Sequence, residues 1–191
     1  MKNKLLAEGN LLFGINAKYD NINMCGIYGY IGSGSSIEVK NAWAGLQSLS
    51  DRGPDDWGMY FSERGKITEN AEISNSNCET VLGNRRLSIL DLSEAGNQPM
   101  GSDEKGWIVY NGEVYNYLEL KNQLRDRGYE FTSDTDTEVI LQAYQEYGEA
   151  CTEHLRGMFV FAIYTPTENR LFVARDRFGI KPFYFDHSNH R

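Results

Sequence analysis

The chain has 191 residues, 40% hydrophobic and 24% charged, with a formal net charge of -8. This length fits one domain with its own core and is too short for two ordinary ones. The acidic balance excludes a nucleic-acid surface built on clustered Lys and Arg, and no apolar run approaches the ~20 residues that span a bilayer.

The three cysteines, Cys25, Cys78 and Cys151, give neither a disulfide framework nor a CxxC zinc pattern and point to a reducing cytoplasm. Residues 1–24 carry the apolar pairs Leu5-Leu6 and Leu11-Leu12, but Glu8, Gly9 and Asn10 interrupt them. They lack the unbroken apolar stretch of a secretory signal. They read as a leader, a propeptide or a misassigned upstream start.

The stretch from Cys25 to Gly32 alternates small or apolar with aromatic residues and predicts a strand. Val39, Ala42, Trp43, Leu46 and Leu49 recur at helical spacing, which predicts a helix over 37–50. Arg52-Gly-Pro-Asp55 breaks it. Short strands are expected near 58–62, 66–73 and 80–84, with 70–77 a hairpin tip or exposed loop. Residues 107–110 predict a strand ending in Asn111-Gly112. Asn116 is a candidate cap for a helix carrying Tyr117, Leu120 and Leu124, closed by Gly128. Thr135 or Asp134 is a candidate cap for a second helix, ended by Gly148. A short helix over 149–155 then precedes strands at 158–164 and 171–175, joined by a turn at Asn169-Arg170. Many strands with a few clustered helices suggest an α+β domain of antiparallel sheets covered by helices.

Several residues can carry chemistry. Cys25 heads a Gly-rich strand directly after Met24. It reads either as a small buried hydrophobe or, with Met24 removed, as a nucleophile beside its own α-amine. That amine, with a pKa of about 7.7–8.0, can serve as the base for the thiol. A Cys-His pair has one weak candidate, His154, because His187 and His190 lie in the polar tail. Asn111-Gly112-Glu113 reads as a plain turn or as an oxyanion hole made by a side-chain amide and a backbone N–H. Arg85-Arg86 and Asp134/Asp136 read as surface charges or as a pair holding the two ends of an amino acid, an Arg fork suiting a carboxylate.

Taken in order, eight segments resemble the N-terminal glutaminase domain of glutamine-dependent asparagine synthetases. They are Cys25-Gly-Ile-Tyr-Gly, Arg52-Gly-Pro-Asp-Asp, Arg86-Leu-Ser-Ile-Leu-Asp91, Asn97-Gln-Pro-Met100, Tyr110-Asn-Gly-Glu-Val-Tyr-Asn116, Asp136-Thr-Glu-Val-Ile140, Leu155-Arg-Gly-Met-Phe-Val-Phe-Ala162 and Ala174-Arg-Asp-Arg-Phe-Gly-Ile-Lys-Pro182. The resemblance implies a class II glutamine amidotransferase domain over 25–191. Its expected fold is the αββα sandwich of N-terminal-nucleophile hydrolases. It implies Cys25 as the nucleophile, its α-amine as the base, and Asn111 and Gly112 as the oxyanion hole. Arg86 matches the arginine that holds the glutamine carboxylate, and Leu87, Ile89 and Leu90 line the same site. Glu113 and Asp136 match residues meeting the substrate's amino end and side chain, and Arg52 a pocket arginine.

The implied substrate is L-glutamine, and the implied partner a synthetase domain or chain that uses the ammonia. The half-reaction calls for no cofactor; ATP and Mg belong to the synthetase domain, whose pyrophosphate loop this sequence lacks. Two positions depart from the family pattern: Asp51 and Asn84 stand where histidine is usual. The family also continues past the Phe-Gly-Ile-Lys-Pro segment with further strands, so a truncated domain with an exposed sheet edge is expected. The rival expectation is a non-catalytic relic or a regulatory module that binds glutamine without turnover.

Overall fold

The structure is a computed structural model that describes residues 4–6, 10–15, 25–68, 76–87 and 94–188. In chain order its strands are β1 (Lys4–Leu6), β2 (Asn10–Gly14), β3 (Gly26–Ile31), β4 (Ile37–Glu38), β5 (Asp56–Phe61), β6 (Gly65–Ile67), β7 (Asn77–Cys78), β8 (Thr80–Arg86), β9 (Met100–Ser102), β10 (Gly106–Val114), β11 (Gly157–Thr165), β12 (Arg170–Arg175) and β13 (Tyr184–Ser188). The helices are α1 (Val39–Gln47), α2 (Tyr117–Asp126), α3 (Asp136–Tyr147) and the single turn α4 (Cys151–His154).

Two antiparallel sheets stack face to face. One has the order β1-β12-β11-β10-β9, the other β13-β2-β3-β8-β5-β6, and β4 and β7 form a separate pair. Period-two patterning assigns each strand's two faces. In β11, Val160, Ala162 and Tyr164 meet Leu11, Phe13, Ile27 and Leu82 of the other sheet. Phe159, Phe161 and Ile163 turn the opposite way, onto Leu120, Val139, Ile140 and Tyr144 of α2 and α3. On the far side, Met59, Phe61 and Val81 pack under Val39, Ala42 and Leu46 of α1. The layers therefore run α1, six-stranded sheet, five-stranded sheet, α2–α4: the αββα sandwich expected above.

Four expectations need correction. Asn111-Gly112 is no hairpin turn: β10 runs straight through it, with Asn111 opposite Val160 and Gly112 opposite Phe159. The pull of eight consecutive pairs with β11 overrides the dipeptide's turn preference. Asn77 lies in a short strand opposite Glu38 rather than in a loop; residues 69–75 lie outside the described residues. Asn116 precedes α2 without a side-chain cap. Its amide instead donates to His154 O and accepts from Arg156 N, tying α2 to the 154–156 loop. The fourth concerns the unstructured reading of the first residues: whatever the origin of 1–24, residues 4–6 and 10–14 pair as strands β1 and β2. The sheet edge left by β13 is a described strand with exposed Tyr184 and Phe185.

The Thr135 expectation holds. Its hydroxyl accepts from Glu138 N at 3.2 Å, and the Glu138 carboxylate reaches back to the N–H groups of Thr132 and Ser133 at 2.9 and 2.7 Å. This capping arrangement uses donors that a helix start leaves open and fixes the loop that delivers Asp136.

Candidate active site

Cys25 immediately precedes β3, an inner strand, and faces the residue that leaves the end of β8. Leu87 N donates to Cys25 Sγ at 3.4 Å, and Sγ lies 3.6 Å from Leu87 O. Leu87 thus meets Cys25 through its backbone. Burial pushes the Cys25 thiol up, while the Leu87 amide and the Arg86 charge oppose that and Asp136 adds to it. Arg86 is the last residue of β8, is 7% exposed, and donates from Nη1 to Asn97 Oδ1 at 2.5 Å.

Across the inter-sheet space stand Asn111 and Gly112. Asn111 is 1% exposed, and its side-chain nitrogen and oxygen both lack a hydrogen-bond partner. Its place two residues beyond Val109 puts it on the face turned to the other sheet. Nearly all buried polar groups in folded proteins are paired, so an orphaned amide marks a place prepared for something else. Gly112 is glycine for a steric reason: a Cβ there would stand 2.3 Å from Met158 O and 2.6 Å from Phe159 Cα. Any side chain would push β10 off β11 at that point.

Asp136 opens α3 and is 5% exposed. Its Oδ2 accepts from Tyr110 OH at 2.6 Å and Val114 N at 3.0 Å. Burial raises its pKa, partly offset by these two donors. Tyr110 is in turn held well above the ordinary phenol range, by burial first and the Asp136 charge second. Between the layers, Gln98 Oε1 accepts from Tyr110 N at 2.7 Å and Asn84 Nδ2 at 3.2 Å, and its Nε2 donates to Thr137 Oγ1 at 3.2 Å. One amide therefore clips β8, β10 and α3 together. Asn84, one of the departures from the family pattern, is fully buried in this clip, while Asp51 is exposed.

These groups enclose a cavity of about 70 Å³. Of the residues named from sequence, Cys25, Arg86, Leu87, Gly112 and Asp136 line it. Asn111 is buried beside Gly112, and Glu113 is an exposed residue opposite Met158. Arg52 is buried but does not line the cavity, and Ile89 and Leu90 lie outside the described residues. His154 lies flat on Tyr147, with ring centroids 3.9 Å apart, and is not in the lining.

Sequence reasoning missed Gln98, Tyr110, Thr135 and Thr137 as cavity-lining residues. Gln98, Tyr110 and Thr137 sit inside the motifs quoted above, so a signal was present but their burial was not. It also missed Lys181, which is 3% exposed. Burial and the Arg52 charge lower its pKa, while Asp176, Glu113 and Cys25 raise it. The loop that carries it is pinned by Asp176, whose carboxylate accepts from the N–H groups of Phe178, Ile180 and Lys181 at 3.1, 2.9 and 3.0 Å. Among the described residues, no group of three or more His, Cys, Asp or Glu is placed to hold a metal ion.

The αββα sandwich is the fold of the N-terminal-nucleophile amidotransferases. Among solved structures, glutamine phosphoribosylpyrophosphate amidotransferase from B. subtilis, complexed with ADP and GMP, superposes with a TM-score of 0.66 at 23% identity. The match covers 92% of this chain and 41% of that one. The chain belongs to the glutamine amidotransferase domain family, whose model matches residues 24–191. It is 38% identical over 170 residues to asparagine synthetase [glutamine-hydrolyzing] 3 of Bacillus subtilis, covering 85% of this chain and 25% of the relative. It is 43% identical over 140 residues to asparagine synthetase [glutamine-hydrolyzing] 1 of the same organism, covering 73% and 20%. The resemblance read from the eight motifs is borne out, and the chain spans about a quarter of the length of these relatives.

Proposed function

We propose that this glutamine amidotransferase domain hydrolyses L-glutamine to glutamate and ammonia through a thioester on Cys25. The observation that carries the reading is the buried, unpartnered Asn111 amide, next in the chain to Gly112, which lines the same cavity as Cys25. In the mechanism, a free Cys25 α-amine takes the thiol proton and Sγ attacks the side-chain carbonyl carbon of glutamine. Asn111 Nδ2–H and Gly112 N–H hold the oxyanion, donors whose value lies in being aimed before charge develops. The protonated amine then gives its proton to the departing nitrogen, the C–N bond breaks and ammonia leaves. Water hydrolyses the thioester, with the amine again as base. Arg86 is the cation for the substrate carboxylate, and Asp136 with Glu113 the anions for its ammonium. Leu87 lines the pocket, and the family resemblance assigns Ile89, Leu90 and Arg52 to the substrate site. These groups supply the whole half-reaction without a cofactor.

The ammonia acceptor in this reading is a synthetase domain or chain of the asparagine synthetase type, acting in the cytoplasm; ATP and Mg act only there. No helix among the described residues is long and apolar enough to cross a membrane. Residues 1–24 are the segment that must be severed ahead of Cys25 or start upstream of the true initiator.

One observation favours a second reading, a glutamine-binding module without turnover. While Met24 is attached, the Cys25 nitrogen is an amide and no base, and burial already raises the thiol. The test is glutamate release from glutamine by the intact chain and by the chain severed between Met24 and Cys25. Turnover in the severed form that vanishes in Cys25→Ala supports the hydrolase. Glutamine binding with no turnover in either form supports the module.

A further inference from the structure

The proposed hydrolase needs a free Cys25 amine, yet residues 10–15, ahead of Cys25, are built into the core. β2 lies between β3 and β13, pairing Phe13 with Gly29 on one side and with Phe185 on the other. Leu11, Phe13 and Ile15 are 0%, 2% and 4% exposed and belong to the inter-sheet cluster. Leu12, between them, is 41% exposed. That is the period-two signature of a strand with one buried face. The Phe13 ring occupies the space over Gly29, where a Cβ would stand 2.1 Å from its Cζ. Phe183 closes the other side at 5.7 Å between ring centroids. Asn10 Oδ1 accepts from Ser33 N at 2.8 Å, and Ile15 N donates to Ile27 O at 3.2 Å, so both ends of the segment are tied down. Among the described residues β13 has no strand partner except β2. These residues also lie ahead of the family-model match, which begins at residue 24.

We propose that the slot between β3 and β13 is a strand-binding site whose ligand is this chain's own residues 10–15, and that the segment stays seated when the chain is severed ahead of Cys25. The main-chain ladder supplies the binding and the two-residue alternation its register, as in other cases of strand addition. The severing step adds water across the Met24–Cys25 amide under an endopeptidase, leaving a carboxylate on Met24 and an ammonium on Cys25. The active species is then two chains, a short strand peptide and the domain it completes. The inference rests on the proposed function only for the need to sever; the seating of the strand is measured without glutamine.

The experiment replaces residues 18–24 with the recognition sequence of a site-specific endopeptidase that leaves Cys25 first, cuts the purified full chain, and passes it through gel filtration. The expected result is one species of monomer mass containing both fragments in equal amounts. The pair should separate only in denaturant. Leu12→Asp, on the outward face, should keep the fragment; Phe13→Asp should shed it. In the uncut chain, hydrogen exchange over 10–15 should be protected to within about tenfold of 26–31. A wild-type fragment that elutes apart from a folded remainder would overturn the proposal, as would unprotected exchange over 10–15 in the uncut chain. A species of doubled mass whose fragments exchange between copies would give the slot to a second copy and overturn the own-chain assignment.

Discussion

The two ends of the strand that follows Cys25 are built on opposite principles. At its start, around Cys25, the groups are polar, buried and crowded: Arg86, Asp136, Tyr110 and Gln98 line one small cavity, and Asn111 is buried between Tyr110 and Gly112, which both line it. Along its flank, where β2 is seated, the contacts are apolar and periodic: Leu11, Phe13 and Ile15 against Ile27, Ile31 and Leu82. The polar end holds an arrangement that is unfavourable for stability, with a raised carboxyl on Asp136 and an amide without a partner. The apolar flank supplies burial with no chemistry. The lesson is that strain at a site is held in place by strands beside it that need no motif.

Substitutions on the two sides should therefore separate stability from chemistry. The largest effect on stability is expected at Phe13→Ala, which removes a buried ring from a slot shaped around Gly29. It should lower the unfolding free energy by about 3–5 kcal/mol, read from denaturant midpoints. Asn111→Ala should do the reverse. Losing one oxyanion donor should reduce kcat by about 10²–10³-fold. Its melting temperature should not fall, because the amide it removes makes no hydrogen bond in the folded protein.

Asp136→Asn sharpens the contrast through pH. Burial raises the Asp136 pKa in the folded state. The stability that this linkage contributes is full below the unfolded carboxyl value, near about 3.9, and fades as pH rises through the raised folded value. Above that raised value the ionised carboxylate is a burden on the fold. Asn can still accept from Tyr110 and Val114, so the variant should melt no lower than wild type at pH 7 and lose that advantage below about pH 4. Its KM for glutamine should rise. The smallest effect is expected at an exposed pair: Arg127→Ala, which breaks the surface bridge to Glu146, should leave the denaturation midpoint indistinguishable from wild type.

The same division explains what the sequence disclosed. Motifs at the polar end are legible in residue type and order, and Cys25, Arg86, Leu87, Gly112 and Asp136, named from sequence, line one cavity. Thr135 was legible because its partner, Glu138, sits at the spacing of a capping box. Asn111-Gly112 misled because a strong local turn signal lost to a long ladder with β11. Asn116 misled because its amide found the 154–156 loop instead of its own helix. Lys181 escaped because a lysine in a Gly- and Pro-containing loop reads as solvated, and only the Asp176 hub draws that loop inward. β2 escaped because Glu8, Gly9 and Asn10 interrupt its apolar pattern and one of its two partners, β13, lies at the other end of the chain. The slot it fills, between β3 and β13, closes only in three dimensions.

The most direct test of the account is the covalent intermediate itself. The severed chain is mixed with glutamine, quenched in acid within a turnover and digested, and the peptides are mapped by mass. A glutamyl adduct on the peptide that begins with Cys25, absent from the uncut chain and from Cys25→Ala, is the predicted result. Glutamate release at an undiminished rate in Cys25→Ala, with no adduct on that peptide, would contradict it.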